Sequence, residues 1–339
     1  MRIRYLFLVL LIMLASCKHP RKVSTCFYYW KTVYKQNPVE SEYAKHLHSN
    51  KMYLRIMDVD MDDSGSLPTP VSPITFQQKL PDTVQLVPVV YIINNVLKNT
   101  NKATISDMTR KLLYYVDGKV KQAGKSAYSE LQIDCDWTAT TRDNYFYLLN
   151  ELQAQMKGKT LSVTLRLHQV KNRESCGIPP VNKALLMCYN MGNLRKYGTQ
   201  NSIIEISELK KYLGDNLARY PMKMDIGLPL FNWAVAFRDK RYVGIARRIN
   251  FDKLSNDKRF SSMGENLYRA KTDMPEYGLN KLDEVRWESA PIKELEAVAD
   301  YLSPRLKNDA IEVVYFHLDE NVLKGYTYEE LQNVGNLLR

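Results

Sequence analysis

The segment "ELQIDCDWTATTRDNYFYLLNEL" (130–152) decides the fold, because it joins a strand-like run to the clearest helical pattern in the chain. In 131–136 polar and apolar residues alternate with the period of a β-strand, so Gln132, Asp134 and Asp136 share one face. After it, apolar residues recur at helical spacing, at Tyr145, Leu148, Leu149, Leu152 and Met156. Burying the polar face costs free energy unless its members form hydrogen bonds. The strand end is therefore a candidate functional site.

The same alternation of strand and helix continues along the 339-residue chain. Further strands are predicted at 26–34, 51–60, 84–93, 161–169, 183–190, 223–233 and 310–319, and further helices at 102–120, 289–302 and 327–338. Eight strands separated by helices over about 300 residues predict an α/β fold, a (β/α)8 TIM barrel. In such barrels the C-terminal strand ends form the site. Thr164, Arg166 and His168 on the fifth strand are possible partners for the polar face.

The longest connection, 234–309, lies between strands seven and eight. Its first part, 233–246, has the pattern of a β-hairpin turning around Asp239 and Lys240. The rest is rich in Lys, Asp and Asn and is typical of a loop or a small subdomain. We expect the barrel to occupy 26–339, with 234–309 as an insertion.

The N-terminus has the order of a bacterial export signal, with a basic start, an apolar run and "LASC" (14–17). It resembles the lipobox of lipoproteins, which implies a signal peptide at 1–16, lipidation of Cys17 and a linker at 17–25. The apolar run of about ten residues is too short for a permanent membrane span. These features predict a protein anchored by lipid to a membrane of the bacterial cell envelope.

Composition narrows the class further. The formal net charge is +11, but a nucleic acid partner is not expected for an exported lipoprotein. The cysteines show no zinc spacing, and neither a metal nor a cofactor is predicted. The disulfide state of Cys26, Cys135, Cys176 and Cys188 stays open, as do the oligomeric state and the membrane face.

Three motifs together resemble glycoside hydrolase family 18, the barrel of chitinases and related endo-glycosidases. "LQIDCDWT" (131–138) is similar to the inner part of that family's "DGxDxDxE", with Asp134 and Asp136 on its second and third aspartates. "MCYNMG" (187–192) is similar to "MxYDxxG", with Tyr189 on the tyrosine and Asn190 in place of the aspartate. "GLPLFNW" (227–233) is similar to the strand-seven pattern "GLPFYG". The whole pattern also resembles a bacterial family of uncharacterised proteins in the same superfamily.

The sequence departs from the family where acid catalysis is needed. The acid/base glutamate falls on Thr138, which cannot protonate a glycosidic oxygen at neutral pH. Leu131 stands at the first aspartate. Because the substrate's acetamido group is the nucleophile in that family, the resemblance leaves Asp136 and Asp134 as catalytic candidates only if another acid is present.

Aromatic and polar residues near the predicted strand ends are candidates for ligand binding. Aromatic faces stack on the CH surfaces of sugar rings, although most aromatic residues are ordinary core. The candidates are Trp30, Trp137, Tyr189, Asn190, Trp233 and His317. His317, Asp319 and Glu320 also offer a replacement acid at the end of strand eight, with a solvated loop as the alternative.

Three functions remain open from the sequence. The first is a barrel that binds a glycan or glycoconjugate without hydrolysing it. The second is an active glycoside hydrolase that uses Asp136 and a second carboxylate. The third is a structural or interaction lipoprotein with the barrel as scaffold, which a mouth closed by Arg166 or by packed aromatic residues would favour.

Overall fold

The computed structural model describes residues 20–339. The predicted signal peptide 1–16 and the predicted lipidation site Cys17 lie outside these residues. Within them, none of the helices combines the length and the apolar character that crossing a membrane requires.

The strands follow one another as β1 (Lys22–Tyr29), β2 (Val33–Tyr34), β3 (Lys51–Met61), β4 (Pro68–Val71), β5 (Thr75–Phe76), β6 (Gln85–Ile92), β7 (Glu130–Asp134), β8 (Thr160–Arg166), β9 (Lys183–Met187), β10 (Met224–Pro229), β11 (Trp233–Arg238), β12 (Arg241–Ile245), β13 (Phe260–Ser262), β14 (Leu267–Ala270), β15 (Glu284–Glu288) and β16 (Ala310–Phe316).

The α-helices are α1 (Pro38–His46), α2 (Lys102–Gln122), α3 (Arg142–Gln155), α4 (Leu167–Lys171), α5 (Arg173–Cys176), α6 (Ile206–Leu213), α7 (Asn216–Arg219), α8 (Phe251–Asn256), α9 (Ile292–Leu302), α10 (Glu320–Leu323) and α11 (Tyr328–Leu337). Short 3-10 turns lie at Asn94–Leu97, Pro275–Tyr277 and Ser303–Arg305.

Eight parallel strands close into a barrel. Their order is β1, β3, β6, β7, β8, β9, β10 and β16, and β16 pairs back onto β1 with Lys22 opposite Ala310. These are the eight predicted strands, so the predicted (β/α)8 fold is confirmed. Several bounds differ from the prediction, and the fifth strand ends at Arg166, so His168, predicted on that strand, lies in α4. The first strand begins at Lys22, inside the segment 17–25 assigned to the linker, and β7 ends at Asp134, so Asp136 and Trp137 follow the strand.

The alternation along β7 separates two cores. Leu131, Ile133 and Cys135 face outward, where they pack with Leu148 and Leu149 of α3. The lumen of the barrel has its own apolar cluster, which is rich in tyrosine: Cys26, Tyr28, Tyr53, Val87, Val89, Leu185, Met187, Tyr189 and Val314. A buried parallel strand with helices on its outer face explains why β7 carries apolar residues on that side.

A network of charged side chains closes the N-terminal end of the lumen. Lys183 Nζ lies 2.7 Å from Asp225, 3.1 Å from Glu130 and 3.2 Å from Glu312. Lys51 also pairs with Glu312, and the Ser162 hydroxyl donates to Glu130 (2.7 Å). Each carboxylate therefore has a cation or a hydrogen-bond donor, as buried charges require.

The insertion contains an antiparallel sheet in the order β12, β11, β15, β14, β13, with β11 and β12 forming the predicted hairpin. Its sheet ends at Glu288, and the following α9 packs into the barrel core. Arg286 is fully buried and holds the sheet to the loop after β9, because it donates to the carbonyls of Leu194 and Lys196 and pairs with Glu288.

The four cysteines of the described chain are buried free thiols. Burial raises the pKa of Cys188 and of Cys135. They behave as small apolar residues of the core.

Candidate functional site

Asp134 ends β7 and turns its carboxylate into the lumen. Its Oδ1 accepts a hydrogen bond from the Thr164 hydroxyl on the neighbouring β8 (2.6 Å), as the strand parity predicted. Burial raises the pKa of Asp134 to about 6, the hydrogen bond from Thr164 lowers it, and the charge of Asp136 adds to the increase. The fold thus holds a carboxyl group that titrates in the mildly acidic range.

Asp136 forms a two-point ion pair with Arg166. The distances are 2.6 Å from Nε to Oδ1 and 3.0 Å from Nη2 to Oδ2, and the two side chains remain 38% and 26% exposed, respectively. Burial works against the charge of Arg166, but the hydrogen bonds and attraction of Asp136 outweigh it and raise its pKa. A planar guanidinium matched to a carboxylate is the strongest form of such a pair. The pair spans part of the mouth and keeps contact with solvent.

Trp137 does not line the mouth, so the prediction that it contacts a ligand is wrong for this structure. The side chain is completely buried, donates from Nε1 to the Cys176 carbonyl (2.9 Å), and stacks on Tyr145 with ring centroids 4.8 Å apart. The reason is parity, because Trp137 is two residues beyond Cys135 and shares its outward direction.

Thr138 begins the turn that leads into α3. Its side chain is exposed, its hydroxyl lies 2.9 Å from that of Thr140, and its carbonyl accepts from the Arg142 N–H (2.9 Å). Thr141 is buried in the same turn and donates to Asn94 (2.6 Å). Position 138 is therefore occupied by a neutral turn residue.

Tyr189 and Asn190 follow β9 but differ in environment. Tyr189 is buried in the lumen cluster, 5.4 Å from the ring of Phe316 and 6.0 Å from that of Phe231, and burial raises its pKa. Asn190 is exposed with a φ of 53°, a left-handed conformation that Asn tolerates better than most residues. Its N–H donates to the Ile203 carbonyl (2.8 Å). Tyr189 thus belongs to the lumen, and Asn190 is a turn residue.

A group of half-buried aromatic side chains packs above the lumen, and we call it the mouth aromatics: Trp30, Phe231, Trp233 and Phe316. Trp30 lies 5.6 Å from Phe316, which lies 5.7 Å from Phe231, which lies 5.1 Å from Trp233. Trp233 also donates from Nε1 to Glu288 (2.9 Å). The two predicted tryptophans are therefore brought together, through two phenylalanines that the sequence analysis did not single out.

The end of β16 carries His317 and two carboxylates, Asp319 and Glu320, that are already paired. Burial lowers the pKa of His317, although Asp319 raises it, and His317 Nδ1 is buried with no hydrogen-bond partner within 20–339. Asp319 pairs with Lys31 (2.9 Å), whereas Glu320 accepts from Asn37 (2.7 Å) and pairs with Lys324. The two carboxylates are held by structural contacts, which argues against either as a replacement acid.

The sequence analysis also left out Tyr91, whose place follows from the register. Tyr91 on β6 pairs with Asp134 in the sheet, and burial raises its pKa to about 12, to which Asp136 and Asp134 contribute. No group of His, Cys, Asp and Glu within 20–339 has the arrangement of a metal site. The mouth thus includes the carboxylates of Asp134 and Asp136, the guanidinium of Arg166 and aromatic rings.

Solved structures show the same fold. The spore cortex-lytic enzyme SleL of Bacillus cereus is 13% identical, with a TM-score of 0.55, over 95% of this chain and 75% of the enzyme's. The chitinase ChiB of Flavobacterium johnsoniae, a family 18 enzyme, is 10% identical, with a TM-score of 0.48, over 93% of this chain and 94% of its own. A fungal family 18 endo-β-N-acetylglucosaminidase is 11% identical, with a TM-score of 0.48, over 95% and 99%.

The structural likeness to SleL supports the fold alone and leaves the activity open. No protein-family model matches the chain, and the curated proteins include no match. The molecule is a closed (β/α)8 barrel with the fold seen in SleL.

Proposed function

We propose that this chain is a glycan-binding barrel of the glycosidase type that does not hydrolyse its ligand. The observation that carries the proposal is the cluster of half-buried aromatic rings at the mouth, beside the partly exposed side chains of Asp136 and Arg166. Asp136 occupies the place of the third family aspartate by resemblance. Here both its oxygens accept hydrogen bonds from Arg166.

The lack of a proton donor at the position of the family's acid supports binding without hydrolysis. Thr138, at the position of the family's acid, is a turn residue with a neutral hydroxyl. Asp136 is held as an acceptor by a permanent cation, so it is poorly placed to donate a proton. General acid catalysis contributes typically about 10²–10⁴-fold to such reactions. Turnover of chitin-type substrates should therefore be slight.

The mouth aromatics support a sugar as the ligand. Rings that are half-buried in a cluster are held rigidly and keep part of their surface for contact with CH groups. Asp136 and Arg166, both partly exposed, add polar contacts that fix orientation. A mostly apolar mouth with a few polar groups is typical of small-ligand sites.

Binding is tested on a glycan array, with N-acetylated oligosaccharides as the first probes and residues 18–339 as the protein. Asp136→Asn removes the charge that orients Arg166, and we expect affinity to fall on the order of tenfold. The control is Lys324→Gln, which breaks an exposed ion pair distant from Asp136 in the sequence. Thermal melting confirms that both variants are folded.

Two outcomes would contradict the proposal. Efficient cleavage of an N-acetylated oligosaccharide by the unmodified protein would support an active hydrolase instead. Failure to bind any glycan would support the scaffold function. The scaffold function is the second candidate because the ion pair between Arg166 and Asp136 spans part of the mouth.

We also propose that the barrel is tethered to a membrane of the bacterial cell envelope through lipidated Cys17. The support is the export signal and the "LASC" box in the sequence. Cys17→Ser should abolish labelling by a palmitate analogue in cells and release the protein from the membrane fraction. A variant that stays labelled and membrane-bound would contradict the anchor.

A further inference from the structure

The second strand–helix unit of the barrel lacks its helix. The connection from β3 to β6, residues 62–84, is described in full and contains only the short strands β4 and β5. A barrel strand needs apolar cover on its outer face, and the strand β3 turns Met57 and Val59 to that side after a register shift near residue 56. No helix of this unit therefore covers the side of α2 next to β3, and another molecule can pack there.

The connection covers the lower part of that flank only. Lys119 donates to the Ile74 carbonyl (2.7 Å), and Leu80 N–H donates to the Ala123 carbonyl (2.9 Å). Higher on the helix, between α2 and β4, a crevice of about 570 Å³ remains. This volume is within the range of roughly 300–1,000 Å³ found for sites of small ligands.

The crevice has an apolar floor. Met57, Val59, Met108 and Leu112 line it, and each is at most 7% exposed although it borders the open space. A chain of methylene groups has the apolar character that such a floor favours.

The rim carries an excess of positive charge. Arg110 and Lys111 line the crevice and are 73% and 74% exposed, and both contact the single carboxylate of Asp107. Tyr114 lies at the same rim and is 83% exposed. Two cations facing one anion favour a ligand with a negative head group.

We propose that this crevice binds the acyl chain of a free single-chain anionic amphiphile, of the fatty acid class. The methylene chain lies on Met57, Val59 and Leu112, and the head group lies near Arg110 and Lys111. The apolar floor and the volume of about 570 Å³ suit a single acyl chain. The site lies on the outer flank of β3 and α2, separate from the mouth, so this proposal does not depend on glycan binding.

The test is a calorimetric titration of residues 18–339 with dodecanoate. This segment is used because the closed barrel and its core lie within 20–339. We expect saturable binding of one molecule per chain, and weaker binding of the neutral dodecanol. Thr69→Trp fills the crevice from β4 and should abolish binding. Arg110→Glu with Lys111→Glu should weaken it on the order of tenfold.

The control variant carries Lys98→Glu and Lys157→Glu, the same change of charge at exposed sites outside the crevice. It should bind dodecanoate like the unmodified protein. Absence of one-to-one binding, or equal binding by the Thr69→Trp variant with a normal melting curve, would overturn the proposal. Binding to phosphatidylglycerol vesicles without binding of dodecanoate would also overturn it, in favour of a membrane surface.

Discussion

At the scale of single residues, the buried carboxyl group of Asp134 lowers the stability of the fold at a pH where it is charged. The strand places its carboxyl group in the lumen, where burial raises its pKa to about 6, whereas an aspartate in an unfolded chain titrates near 3.9. Between about pH 4 and pH 6 the unfolded chain releases this proton before the folded chain does. Stability therefore falls as the pH rises through this window.

Asp134→Asn should remove that cost. The amide oxygen can still accept from the Thr164 hydroxyl, so the variant should be more stable than the unmodified protein at pH 7.5, by about 3 kcal/mol. At pH 4 the difference should vanish, because the native carboxyl is then protonated. Urea unfolding at both pH values measures this, with exposed Asp63→Asn as control. A gain that is the same at both pH values would rule out ionisation as the cause.

At the scale of elements, Trp137 connects β7, α3 and the segment 167–176. It stacks on Tyr145 of α3, donates to the carbonyl of Cys176, and its own carbonyl accepts from Gln169 (3.1 Å). Trp137 belongs to a motif that resembles part of a sugar site, but in this structure it joins the strand β7 to the helix layer.

Trp137→Phe should destabilise the fold without altering the mouth. The buried Cys176 carbonyl loses its donor, which costs about 1–3 kcal/mol, while glycan affinity should stay within about twofold. Trp30→Phe makes the same chemical change among the mouth aromatics and should have the opposite pattern, weaker binding with little loss of stability. Unfolding curves and glycan titrations of both variants decide the matter. Loss of binding by folded Trp137→Phe alone would return Trp137 to the site.

At the scale of the whole molecule, the two ends of the lumen have different roles. The N-terminal end holds the network of Lys51, Glu130, Lys183, Asp225 and Glu312, and the C-terminal end carries the candidate site. In barrels of this class, residues at the N-terminal face commonly serve stability and those at the C-terminal face serve function. Substitutions in this charged network should therefore change the stability of the fold and leave glycan binding unchanged.

Lys183→Met should destabilise the barrel by about 3–5 kcal/mol at pH 7, because three carboxylates lose a shared cation in a buried place. At mildly acidic pH the loss should shrink, since burial raises the pKa of Asp225 and Lys183 no longer opposes that increase in the variant. Lys324→Met, at an exposed pair, should change stability little. Calorimetric melting at pH 5 and pH 7 measures both variants. An equal loss at the two pH values would contradict the electrostatic explanation.

Much of this architecture was predictable from local pattern. The eight strands, the helix after β7 and the hairpin at 233–246 all form where the periodicity of the sequence placed them. The hydrogen bond from Thr164 to Asp134 also followed from strand parity. Periodicity is a property of neighbouring residues, so the sequence determined by itself the order of elements, the barrel class and the direction of the polar face of β7.

Only the tertiary structure decided which side chains share a space. Asp136 could have faced a second carboxylate, but strand register brings Arg166 to it. Trp137 has the appearance of a site residue, yet packing against Tyr145 and Cys176 buries it in the helix layer. The open flank of α2 depends likewise on how far the connection 62–84 reaches. Such contacts join residues distant along the chain, and close packing of the closed barrel selects among them in ways that no local period records.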